Sequence, residues 1–307
     1  MQNGYNAEVW PIAGGDELWS ILGDSPRGED VTHIVIAAFF IPTDYIARLA
    51  FTFPHIKFVI NSHSNVGFLQ SEPAAITKLR ETIDLQTESR NVFAGGNSER
   101  FTTAIRIAYG ECIFLPNLYF LHGNESAPKV TWSGTHLRIG CFGASRVQKN
   151  FSTAIVAAIE VAKQLRTTTE IWINTGRDDG NGSVVYRAAL AWTHGLHDVK
   201  LLELPWQTWA QFRSLVATMD VLIQPSYSET FSQVAADACA AGVPTVGGSA
   251  IEWLPKNWQA NTDDATDIAE HVRHVLLDPH AGETALRALK QRNHQMLPYW
   301  KEFLCNN

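Results

Sequence analysis

The chain has 307 residues, 45% hydrophobic and 18% charged, which describes a soluble globular protein and argues against disordered or membrane-embedded classes. A formal charge of −7 gives no general electrostatic reason to bind nucleic acid, and the longest apolar run, Ile34–Ile41, is far short of a bilayer span. No basic segment followed by an apolar core opens the chain, so no signal peptide is expected. Cys112, Cys141, Cys239 and Cys305 form no C-x-x-C pair, as for reduced thiols in a cytoplasm.

Apolar runs alternate with helical patterns along the whole chain, the mark of parallel-sheet α/β architecture. In the first half, Thr32–Phe40 reads as a buried strand, Asp44–Phe51 as a short helix and Ile56–Asn61 as a second strand. Asn91–Gly96 and Cys112–Asn117 continue the series. The stretch Leu115–His136, rich in Pro, Asn, Gly and Ser, reads as a linker. Beyond it, Leu137–Gly143 predicts a strand and Asn150–Leu165 a helix. Phe151, Ala154, Ile155, Ala158, Ile159 and Ala162 make one apolar face of that helix. Strands are expected at Glu170–Asn174, Val199–Leu204, Asp220–Ser226 and Val243–Gly248. The C-terminal segment reads as a long helix broken at Pro298. The expected division is residues 1–120, residues 121–285, and a final helix over 286–307 that returns to the first domain.

Two strand–turn–helix segments carry chemistry. Gly140–Asn150, GCFGASRVQKN, leaves a strand through a small-residue turn at Gly143 and offers Arg146 and Lys149 ahead of a helix. Two cations there suit a diphosphate, Arg by a planar grip and Lys as a point charge. A solvated loop with two surface cations is the plainer alternative. Pro225–Val246, PSYSETFSQVAADACAAGVPTV, places Glu229 at an expected helix cap and Asp237 eight positions later. Thr230, Phe231 and Ser232 are expected to supply the first unpaired helix N–H groups, which attract phosphate. Glu229 alone could be a cap held by the helix dipole. Asp237 sits among small apolar residues, so its carboxylate needs a hydrogen-bonding partner, and a ribose diol is one such partner.

These two stretches, with the exit strand and SAIEWLP after it, resemble the nucleotide-sugar half of retaining GT-B glycosyltransferases of family 4. The signature is a Glu-x7-Glu pair in a P-S-x-x-E-x-F-G context, and the likeness covers Arg138 to Pro255. It implies a GT-B α/β fold: two Rossmann-like parallel-sheet domains facing across a cleft. It implies that Arg146 and Lys149 hold the donor diphosphate, with the backbone of Thr230, Phe231 and Ser232 beside it. Glu229 would contact the transferred sugar and Asp237 the ribose. His63, just past the second strand, matches a cleft histidine near the acceptor. The chain departs from the pattern at Asp237, one methylene short of Glu, and at Ser232, where Gly is usual. Its first domain is short and lacks the Gly-rich first loop, unless Pro11–Trp19 replaces it.

The resemblance implies transfer of a sugar from a nucleoside-diphosphate donor, UDP-sugar favoured, with retained configuration. The donor is a co-substrate, and no further cofactor is expected. No Asp-x-Asp motif is present, so a metal-independent enzyme is expected. The acceptor stays open among small molecule, glycan, lipid head group, protein and modified DNA base of the virus type. Two other readings stay open as well: a nucleotide-sugar epimerase, and a nucleotide-sugar-binding module without turnover.

Overall fold

The computed structural model describes residues 6–24, 30–69, 73–121, 132, 134–176 and 182–305. The chain divides into two units, one of residues up to Pro116 together with Glu302 onward, the other Asn117–Lys301.

The first unit opens with α1 (Gly15–Asp24) and continues β1 (His33–Ala37), α2 (Thr43–Thr52), β2 (Lys57–Ser62), α3 (Val66–Leu69), α4 (Pro73–Glu88), β3 (Val92–Gly96), α5 (Glu99–Tyr109) and β4 (Ile113–Phe114). Its four strands are all parallel and lie in chain order, β1-β2-β3-β4. Apolar runs explain why: parallel strands covered on both faces need side chains such as Phe58, Val59 and Ile60 throughout. The first strand is shorter than its apolar run predicts. Ala38 adopts φ 84, outside the β region, so the ladder stops there. Among the described residues no strand precedes α1, so Gly14 and Gly15 open a helix rather than close a strand–loop–helix turn. Pro11–Trp19, the one stretch left open as a substitute for the glycine-rich first loop, therefore lacks the strand–loop–helix form among the described residues. Asn91 ties the unit together, its amide donating to the carbonyls of Ala50, Phe53 and Ile56 at 3.1, 3.3 and 2.9 Å.

The second unit runs β5 (His136–Cys141), α6 (Phe151–Leu165), β6 (Thr168–Asn174), α7 (Gly182–Thr193), β7 (Val199–Leu204), α8 (Trp209–Val216), β8 (Val221–Gln224), α9 (Gln233–Ala240), β9 (Thr245–Gly247), α10 (Ala265–Leu277) and α11 (Ala281–Cys305). The five parallel strands stand in the order β7-β6-β5-β8-β9. The chain winds outward from β5 through β6 to β7, then returns to place β8 on the other side of β5. That order creates a topological switch point between β5 and β8, and loops at the carboxyl ends of these two strands diverge there. The apolar face foreseen on α6 is buried in the core with Ile268, Val272 and Val275 of α10.

Two helix expectations need correction. The C-terminal helix runs unbroken through Pro298. Proline withholds the N–H that the His294 carbonyl would accept, but both residues are exposed, so water can take that carbonyl. Helix α9 begins at Gln233, not at Glu229. Of the cysteines, Cys112, Cys141 and Cys239 are buried and Cys305 is exposed. Burial pushes the Cys141 and Cys239 thiols up to about 12, which keeps them protonated and inert.

Candidate functional site

The switch point of the second unit is where the two motif segments meet. After β5 the chain turns at Gly143, whose φ of 132 is one that side-chain-bearing residues rarely adopt. The Gly143 N–H donates to Asn174 Oδ1 at 3.1 Å, and the Ser145 hydroxyl donates to the Asn174 carbonyl at 3.0 Å, which pins the turn to the end of β6. Arg146 leads into a single 3₁₀ turn, Val147–Lys149. Asn150 follows in the left-handed region at φ 55, a conformation Asn tolerates, and α6 starts at Phe151.

From the other side, the chain leaves β8 through Pro225 and Ser226 into the Glu229 loop. Asn150 clamps the loops together, donating to the carbonyls of Pro225 at 3.3 Å and Thr262 at 2.6 Å. The Tyr227 N–H donates to the Gln148 carbonyl at 2.9 Å. With the backbones joined, Lys149 Nζ reaches Glu229 Oε1 at 2.5 Å, with both side chains largely buried. Lys149 and Glu229 are eighty residues apart in sequence, and the resemblance implies that they serve one ligand. Asn150 was overlooked, although an Asn between a cation loop and a helix start is a signal for a left-handed residue.

Thr230, Phe231 and Ser232 follow Glu229 but precede α9 instead of forming its first turn. Phe231 is 2% exposed and stacks on Trp253, ring centroids 5.7 Å apart, while the Trp253 indole N–H donates to the Phe231 carbonyl at 2.6 Å. Ser232 is the N-cap of α9, at φ 64 and ψ 83, and its buried hydroxyl makes no hydrogen bond. A left-handed cap explains why glycine is usual in the motif. Ser232→Gly is expected to raise stability by about 1 kcal/mol, since relief of the left-handed strain exceeds the extra chain entropy of glycine. A thermal midpoint that stays put or falls would show the serine hydroxyl to be useful in the fold.

Asp237 lies about a turn and a half into α9 and is 2% exposed. Its Oδ1 accepts from the Tyr119 hydroxyl at 2.7 Å, the Trp209 indole at 3.0 Å and the Gln233 amide at 3.5 Å. Burial raises its pKa above the usual carboxylate value, opposed by these hydrogen bonds and by the Arg213 charge. The sequence required a partner for this acid, and the structure supplies three from the protein itself.

His63 belongs to the first unit, one residue past β2. The residue is exposed, yet partial burial of its imidazole lowers the pKa below 6.5, so the ring is neutral at neutral pH. Its Nδ1 lies 3.4 Å from Asn97 Nδ2, and Asn97 is buried. Among the described residues, no group of three or more His, Cys, Asp or Glu side chains is arranged to hold a metal ion. No helix among them is long and apolar enough to cross a membrane.

A cation and a carboxylate thus meet at the switch point of a parallel sheet, with a left-handed cap beside them. Residues 136–278 match the family described as glycosyl transferases group 1. Over that span, a little under half of the chain, the sequence is similar to a group 1 glycosyl transferase domain. Solved structures agree on the fold. Sucrose-phosphate synthase from Thermosynechococcus elongatus aligns with a TM-score of 0.62 at 15% identity, over 89% of this chain and 74% of that one. HepE of Anabaena, solved with UDP and glucose, aligns at 0.61 and 17% identity, over 87% and 78%. A UDP-forming trehalose-phosphate synthase from Burkholderia xenovorans, solved with glucose-6-phosphate, aligns at 0.67 and 9%, over 94% and 75%. The comparison with curated proteins gives no match. The matched span covers β5 to α10, the elements that build the switch point, and the described residues form the two parallel Rossmann-like sheets of a GT-B fold.

Proposed function

We propose that this protein is a retaining, metal-independent glycosyltransferase that moves a sugar, a hexose or a close relative, from a nucleoside-diphosphate donor, UDP-sugar favoured, to a hydroxyl-bearing acceptor. The observation that carries this reading is the meeting of Lys149 and Glu229 across the β5–β8 switch point. A –NH₃⁺ group has three donors and Glu229 takes one, so Lys149 can hold the sugar-contacting acid and a diphosphate oxygen together. Arg146 stands on the same turn as a second cation for the diphosphate. Thr230, Phe231 and Ser232 lay their backbone beside it ahead of α9, whose N-terminus favours negative charge.

In the reaction the bond between the anomeric carbon and the diphosphate oxygen breaks, and the acceptor oxygen bonds to the same face of that carbon. The acceptor proton passes to an oxygen of the departing phosphate. Charge grows on the leaving group, and preorganised cations stabilise it there without a metal. Neutral His63 is the candidate acceptor-side group. The acceptor itself is not assigned, and a cytoplasmic setting belongs to the same proposal.

The test is release of nucleoside diphosphate from UDP-glucose, UDP-N-acetylglucosamine, GDP-mannose and ADP-glucose, with and without EDTA, for the wild type and Glu229→Ala. Slow release from one donor, indifferent to EDTA and lost in Glu229→Ala, is expected. Equal release by the variant would remove Glu229 from the chemistry. Tight binding of a donor that stays intact with every acceptor class would favour a binding module.

A further inference from the structure

The carboxyl end of the sheet in the first unit is built from neutral polar side chains. Residues 61–65 run Asn-Ser-His-Ser-Asn and residues 97–98 are Asn-Ser, all amide, hydroxyl or neutral imidazole. Asn61 pairs with Gly95 and Ser62 with Gly96, and the Asn97 N–H donates to the Ser62 carbonyl at 3.1 Å, so the ladder carries on past both strands. By the two-residue period of strands, Asn61, His63, Gly95 and Asn97 therefore share one face of the sheet. The other face belongs to the helices of the unit: a Cβ on Gly96 would lie 2.4 Å from the Phe101 ring of α5. On the Asn61 face, Asn61 Oδ1 leans over Gly95, where a Cβ would lie 3.2 Å from it. Ser62 fixes the turn that carries His63, its hydroxyl donating to the Ser64 carbonyl at 3.3 Å and accepting from the Ser64 N–H at 3.2 Å.

Two amides on that face are incompletely paired. Asn61 is 3% exposed, and its Nδ2 donates to the Leu115 carbonyl at 3.3 Å. That bond fixes the other atom as oxygen, and Oδ1 makes no hydrogen bond. Asn97 is 1% exposed, and its Nδ2 lies 3.4 Å from His63 Nδ1 while its Oδ1 has no partner. Turning the amide over would exchange which atom is left, not the vacancy in its pairing. Native folds keep few such groups without a reason. Ligands of open parallel sheets bind at the carboxyl ends of the strands, which is where these amides lie.

The unpaired atoms select a ligand chemistry. A phosphate dianion brings acceptors only and cannot serve Asn61 Oδ1. A sugar hydroxyl both donates and accepts, so it can serve that oxygen and either atom of Asn97. Neighbouring hydroxyls on one ring suit two amides that stand on one sheet face. Exposed His63, beside Asn97, is the entry to them.

We propose that this sheet end is a polyol subsite, where a neutral sugar, free or at the end of a glycan, seats its hydroxyls against Asn61, Asn97 and His63 as the acceptor. The proposal deepens the glycosyltransferase reading by naming an acceptor class and rests on that reading for the acceptor role; the binding itself needs no donor.

Saturation-transfer NMR on the full chain tests it, with glucose, galactose, mannose, maltotriose and glucose-6-phosphate, each with and without UDP. At least one neutral sugar is expected to bind, and a preference for maltotriose over the single sugars would mark a glycan end as the source. Asn97→Leu is expected to weaken that binding about three- to tenfold, the worth of one neutral hydrogen bond. Asn97→Asp is expected to keep it within about threefold, because a carboxylate oxygen still accepts from a hydroxyl. Should Asn97→Leu fail to fold, His63→Ala, at an exposed position, reads the same site by a similar loss. Binding of no sugar under either condition would overturn the subsite, as would binding that both Asn97→Leu and His63→Ala leave unchanged. Glucose-6-phosphate held about tenfold tighter than every neutral sugar would overturn the neutral class. A lower thermal midpoint in Asn97→Leu with sugar binding intact would make the unpaired atoms hydrated parts of the fold, and the subsite would fall. Sugar binding by a protein that takes up none of UDP, GDP and ADP would defeat the donor reading and leave the subsite standing.

Discussion

Lys149→Ala is expected to lower nucleoside-diphosphate release by about 10²–10³-fold, the loss typical when one preorganised group that stabilises developing charge is removed. The physical reason is local. Lys149 is held at the end of a 3₁₀ turn by the Asn150 clamp, and its ammonium is largely buried against Glu229. In the proposed reaction, removing it takes a cation from the place where the diphosphate departs. It also leaves the Glu229 carboxylate partly buried without this partner, and breaking a buried pair from one side costs about 3–5 kcal/mol when burial is complete. Here the side chains keep 13% and 9% exposure, so the stability loss falls below that range. A cycle separates the two effects. The double variant Lys149→Ala, Glu229→Ala is expected to recover much of the stability and none of the rate. Release within tenfold of wild type by Lys149→Ala would mean that the pair only braces the two loops.

The parts of this molecule that were readable in one dimension are those whose cause is local. Parallel strands buried on both faces are short apolar runs, so β2, β3, β6 and β7 stand within two residues of their expected positions. The small-residue turn at Gly143 was legible because a positive φ demands glycine. The start of α9 was not. Glu229 and Thr230 look like a helix entry, but Phe231 is drawn into the core and Ser232 takes a left-handed cap, which delays the helix to Gln233. The partners of Asp237 were illegible for another reason. Tyr119 lies 118 residues away and Trp209 lies 28 away, so no spacing rule connects them. The sequence established that the acid needed a hydrogen bond; only the fold could say from whom.

Phe231→Ala is expected to cost about 3–5 kcal/mol, the range for emptying a well-packed aromatic site. It is also expected to impair donor turnover at temperatures where the fold survives. Phe231 sits between Thr230 and Ser232, so the backbone proposed to face the diphosphate is also the backbone of a core residue. Its ring fills the space against Trp253, and its carbonyl takes the Trp253 indole N–H at 2.6 Å. The loop therefore owes its position to two separable interactions, one apolar and one polar. Trp253→Phe keeps an aromatic ring for stacking and removes the N–H, leaving a buried carbonyl short of a donor. Its expected stability loss is smaller, about 1–3 kcal/mol. If loop position governs turnover, Trp253→Phe will raise the donor KM despite its milder effect on stability. If both variants lose rate only in step with their unfolded fraction, Phe231 is a core residue that happens to border the site. Unfolding curves and donor kinetics on the same protein samples decide between these, because a folding defect scales the rate and leaves KM unchanged.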